Sequence, residues 1–85
     1  MTMPLVLVRW LDSSEVSGWT ILKDWDHPEP LECLSVGFLY AKGNGNLTLV
    51  PHLAYGHDEN RRQGTGMMVI PEKAIVSVET LREAA

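Results

Sequence analysis

The stretch that decides the fold is ECLSVGFLYAKGNGNLTLVPHL, residues 32–53. Two β-prone runs, Glu32–Lys42 and Asn46–Leu53, flank Gly43-Asn44-Gly45. Asn-Gly is a favoured pair for a tight hairpin turn because both positions tolerate positive φ. In the second run Leu47 and Leu49 share one face, while Asn46, Thr48 and His52 take the other. Gly37 inside the first run reads as a bulge or strong bend, the device a small barrel needs to curve.

Upstream, strict alternation continues. Val6, Val8 and Trp10 face one side of a strand, with Leu5, Leu7, Arg9 and Leu11 on the other. Both faces are largely apolar, so this strand is either covered twice or meets another subunit with its outer face. Asp12–Ser14 closes it. Glu15 to Leu31 reads as irregular, broken by Gly18 and by Asp26-His27-Pro28-Glu29-Pro30. Trp19, Leu22 and Trp25 recur every third residue, the spacing of one or two helical turns laid over a barrel mouth.

Downstream, Ala54–Gly66 is polar and glycine-rich and reads as a mobile loop. Met67–Ile70 reads as a short strand, Pro71–Ala74 as a tight 3₁₀ turn, and Ile75–Val78 or a little beyond as the last strand, with Thr80–Ala85 fraying or forming a helical turn. Five short strands with few helical residues give the expected fold class: all-β, a small five-stranded barrel with a short helical or irregular segment after strand 1.

Eighty-five residues suit one domain, read as spanning 1–85, and domains this small often gain stability by oligomerising. A hydrophobic fraction of 45% against 21% charged residues marks a globular chain rather than a disordered one. The formal net charge of −4 argues against duplex nucleic acid as a partner, since such binders present basic surfaces. The charge is uneven. Residues 1–32 hold Arg9 and Lys23 against Asp12, Glu15, Asp24, Asp26, Glu29 and Glu32, whereas the remainder balances, leaving room for a local basic site at Arg61 and Arg62. The one cysteine, Cys33, sits among apolar residues and reads as a small buried side chain, with no internal disulfide to form. No run reaches the ~18 apolar residues of a membrane span. Pro4–Val8 is too short for a signal-peptide core, so a cytoplasmic location is expected.

Two segments resemble the Sm-like branch of the SH3-like barrels. Gly37-Phe38-Leu39 followed by Asn46-Leu47-Thr48-Leu49 is similar to that family's first motif, a bent strand beginning at glycine and a strand opened by asparagine. Ile70-Pro71-Glu72-Lys73-Ala74-Ile75-Val76-Ser77-Val78 resembles the second, two strands separated by a short 3₁₀ turn. The family's Arg-Gly pair after the isoleucine is replaced here by Pro71 and Glu72. The resemblance implies an Sm-like barrel, a ring-like homo-oligomer and, at Asn46, a ligand-holding asparagine. The chain also resembles small phage proteins of this strand order. That implies a host cytoplasm and a role as antagonist of a host defence signal.

The residues themselves point to binding rather than catalysis. His52 and His57, with Asp58 and Glu59 adjacent, span a strand end and a loop, and no second cluster completes a metal set with them or with His27. Cys33 and the serines lack a nucleophile motif, so no enzyme activity, metal or cofactor is expected. Trp10 reads as core. Trp19 and Trp25 either cap the barrel or form a recognition surface for a protein partner, together with the outer leucines Leu5 and Leu7. Arg61 and Arg62, in a glycine-flanked loop beside Tyr55, are suited to clamp the phosphate of a nucleotide-type ligand while the ring stacks on a base; Lys42 would add charge in an oligomer.

Overall fold

A computed structural model describes residues 3–13, 18–26, 29–82 and 84. Among them the chain is all-β, with two 3₁₀ turns and no α-helix. The strands are β1 (Leu5–Asp12), β2 (Leu31–Gly43), β3 (Asn46–Val50), β4 (His52–Ala54), β5 (Gln63–Thr65), β6 (Met68–Pro71) and β7 (Ile75–Thr80). Five of them form one antiparallel sheet in the order β6-β3-β2-β1-β7, and β4 and β5 pair separately.

The deciding hairpin forms as its turn chemistry demands. Gly43 pairs with Asn46, leaving Asn44 and Gly45 as a two-residue turn at φ 55° and φ 78°. Both angles are the left-handed values that match the twist of the flanking strands. The bulge of β2 falls at Tyr40, between Leu39 and Ala41, rather than at Gly37. Gly37 serves close approach instead: a Cβ there would sit 3.3 Å from the Leu49 Cβ and from the Val50 backbone. Chain bending and backbone contact are thus divided between two residues.

The core is one cluster of Val6, Val8, Leu47, Leu49 and Ile70, with Trp10, Leu39 and Ile75 packed against it. Val6 and Val8 come from β1 while Ile70 comes from β6, three places along the sheet order. They meet because the sheet curls. Trp10 Nε1 donates to Ser35 Oγ at 3.0 Å, and Ser35 Oγ lies 3.7 Å from the Met68 sulfur, linking β1, β2 and β6 across that curl. The curl stops short of closure. β6 and β7 are the two ends of the sheet order, joined through the 3₁₀ turn at Glu72–Ala74, and no ladder pairs them among the described residues. The all-β class and the antiparallel five-strand sheet are as expected, while no ladder closes a barrel among the described residues.

Two further expectations are corrected. Ala54–Gly66 is not a loop throughout, because Gln63–Thr65 pairs with His52–Ala54. The offset of that pairing equals that between β3 and β6, so β3–β4 and β5–β6 are the two limbs of one long hairpin. Its ladder breaks at Pro51, which has no N–H to give, opposite Gly66 at φ 76°. Cys33 is half-buried rather than buried, its thiol 3.8 Å from the Leu31 carbonyl. At the chain's end, Thr80 still belongs to β7 and the Leu81 N–H continues the ladder to the Leu5 carbonyl; Glu83 and Ala85 lie outside the described residues.

Candidate functional site

The tip of the long hairpin is built by Asp58. Its Oδ1 accepts from the Asn60 N–H at 3.0 Å, and its carbonyl accepts from the Arg61 and Arg62 N–H groups at 3.1 and 2.9 Å. Tyr55 begins the turn at φ 54°, its carbonyl accepting from the Asp58 N–H. This compact turn places the Arg61 guanidinium 4.2 Å above the Tyr55 ring, a cation–π contact between two of the residues singled out from sequence.

Arg62 is held differently. Its Nη2 donates to the Gly56 carbonyl at 3.2 Å, while its Nε is buried with no hydrogen-bond partner among the described residues. The guanidinium lines a cleft of about 280 Å³ between the hairpin and β2. Met3, Val50, Leu53 and Met67 form its apolar walls, and Tyr40 and Gln63 supply polar groups beside Arg62. Gly64 packs closely against its wall, since a Cβ there would stand 2.6 Å from the Val50 Cγ1.

The remaining residues read from sequence lie elsewhere. Lys42 and Asn46 are exposed at the β2–β3 turn and do not line the cleft. Tyr55 also stays outside it, occupied by Arg61. Leu5 and Leu7 on the outer face of β1 are half-buried, and Leu11 is exposed. Trp19 is fully exposed, which overturns its reading as a cap on the core. It borders a shallow hollow of about 250 Å³ with Leu22 and the half-buried Trp25. Leu22–Asp24 makes the 3₁₀ turn that the three-residue spacing suggests. Ser14–Ser17, His27 and Pro28 lie outside the described residues.

No family model, curated protein or solved structure matches this chain. Its function is therefore read from the residues. Among the described ones, no group of three His, Cys, Asp or Glu side chains stands close enough to hold a metal ion. No helix among them is long and apolar enough to cross a membrane. Tyr40, Gln63 and Met67 are the site residues that pattern reading did not single out. The signal that finds Gln63 is the fixed hairpin offset, which carries Gln63 and Gly64 opposite Ala54 and Leu53; Tyr40 lies on β2 and has no such signal.

Proposed function

We propose that this protein is a non-enzymatic binding module, an Sm-like relative of the SH3-like barrels, that acts as a homo-oligomer. The observation that carries this reading is surface. The chain exposes 7027 Å², whereas a compact monomer of its 9.5 kDa mass exposes about 5000 Å². Leu31, Leu34, Val36, Val69, Val76 and Val78 are all exposed on strands. Strand edges and apolar outer faces of this kind are protein-interaction surfaces. The cleft chemistry, one arginine, one tyrosine and one glutamine among apolar walls, suits holding a ligand rather than turning one over. Native mass spectrometry of the full chain tests the reading; a single-subunit mass at every concentration overturns it.

A second reading is favoured by the two arginines. Arg61 stacked on Tyr55, with Arg62 beside the cleft, gives an anion clamp next to apolar and aromatic surface, the chemistry that sequesters a nucleotide or a short nucleic acid. In a phage setting, that activity would draw off a host defence signal. Thermal shift against a panel of nucleotides tests it, since a ligand at 100 times its Kd adds about 2.7 kcal/mol of stability. The shift is expected to vanish in Arg61→Ala/Arg62→Ala. No shift with any member, or a shift that survives the double change, rejects this second reading.

A further inference from the structure

The pairing of β2 changes partner at Phe38. Residues Leu31 to Phe38 pair with β1, and Phe38 to Gly43 pair with β3. From Leu31 to Gly37 the side of β2 turned away from β1 therefore meets no strand among the described residues. The hydrogen-bonding phase identifies the groups on that side. Leu39 N–H donates to the Pro4 carbonyl at 2.8 Å, so Leu39 directs its backbone toward β1. That direction alternates along an antiparallel strand. Gly37, Ser35 and Cys33 thus also turn their backbone groups to β1, and Glu32, Leu34 and Val36 turn theirs to the open side.

Natural sheet edges are protected by lysine, proline or bulges. This one has none of these between Leu31 and Gly37, and its bulge comes later, at Tyr40. The side chains beside the open groups are apolar and exposed, Leu34 by 59% and Val36 by 50%. Glu32 is the charged exception, and its carboxylate lies 3.8 Å from the Arg9 guanidinium.

We propose that the same edge of a second copy closes this one, in antiparallel pairing centred on Leu34. The free stretch is bounded on one side by Pro30, which lacks an N–H, and on the other by Phe38, where β3 takes over. Leu34 is its midpoint. A two-fold axis there sets Leu34 opposite Leu34 and Glu32 opposite Val36, so every outward group finds a partner. A register slipped toward Phe38 runs into β3, and one slipped toward Pro30 leaves outward groups of both copies unmatched. This symmetry favours a second copy over a foreign strand, because the segment is its own complement. The outer faces also join, since Leu7 lies opposite Val36 and Arg9 opposite Leu34. The excess surface of each copy exceeds the ~800 Å² per partner that a standard interface takes.

The inference rests on the homo-oligomer reading and names the edge that would carry it. It is tested on the full chain by native mass and by amide hydrogen exchange, with wild type and Leu34→Lys compared. Leu34 is exposed in the single copy, so lysine is tolerated there, whereas in the pair two ammonium groups would face each other across the axis. Wild type is expected to form a dimer or a higher even multiple. Leu34→Lys is expected to weaken that association by about tenfold or more. In wild type the Leu34 and Val36 amides are expected to be protected at high concentration and to lose protection on dilution. A single-subunit mass for wild type at all concentrations overturns this inference together with the reading beneath it. An odd subunit number, or an oligomer in which Leu34→Lys changes nothing and the two amides exchange freely, overturns only the edge and leaves self-association standing. Should the variant not fold, the wild-type exchange decides: protection independent of concentration, as a foreign strand or an internal contact would give, rejects the second copy.

Discussion

Leu47, Leu49 and Ile70 carry a disproportionate share of the stability, because so few side chains among the described residues are fully buried. Leu47→Ala removes a buried isobutyl group and leaves a hole that a curled sheet cannot collapse around. The expected loss is about 2–5 kcal/mol, a large fraction of the total for a domain of this size. Urea unfolding followed by tryptophan fluorescence measures it as a fall in midpoint. Gly64→Ala acts through crowding. The new methyl group would overlap the Val50 side chain, a β-branched residue with little rotamer freedom. The expected cost is about 1–3 kcal/mol, and a midpoint equal to wild type would contradict it. At this scale the sequence was unevenly informative. Val6, Val8 and Trp10 announce their face by alternation, and the structure buries the first two and packs the third against them. Nothing local marks Gly64, whose constraint comes from a residue across the hairpin.

Among the elements, the long hairpin has two parts of unequal strength. β3 contributes Leu47 and Leu49 to the core, whereas β4 beyond Pro51 offers only the half-buried Leu53. Local opening follows the number of buried contacts. The amides of His52–Ala54 and Gln63–Thr65 are therefore expected to exchange well before those of Leu47 and Leu49. Residue-resolved exchange checks this, and equal protection along both limbs would refute it. The inner part was legible because Asn44-Gly45 specifies its own turn. The outer part was not. Gln63–Thr65 is three residues long and contains a glycine, and it becomes a strand by inheriting the register that β3 and β6 establish. The candidate site divides the same way. Arg61, Arg62 and Tyr55 could be singled out as loop neighbours, but the stacking of Arg61 on the ring and the place of Arg62 in a cleft with Tyr40 could not.

For the whole molecule, the dimensions exceed those of a compact chain of this length. The radius of gyration is 17.0 Å and the longest extent 57 Å, where a compact chain of this length has a radius near 12 Å. Folding coupled to association makes the melting temperature rise with protein concentration. If the proposed self-association holds, that rise is expected across a dilution series in scanning calorimetry, and a constant melting temperature at all concentrations would contradict it. Whether the sheet closes could not be read from the chain. Alternation reports which face of a strand is covered, and it is silent on whether β6 and β7, at opposite ends of the order, reach each other.

The unbroken offset across Pro51 and Gly66 makes the outer limb a tunable arm. Deleting two residues from each limb shortens it and returns every remaining side chain to its original side, with the five-strand sheet untouched. Deleting one residue from a single limb turns that limb over and carries Arg62 away from Tyr40. Reach can therefore be edited in matched pairs, independently of what holds the protein together.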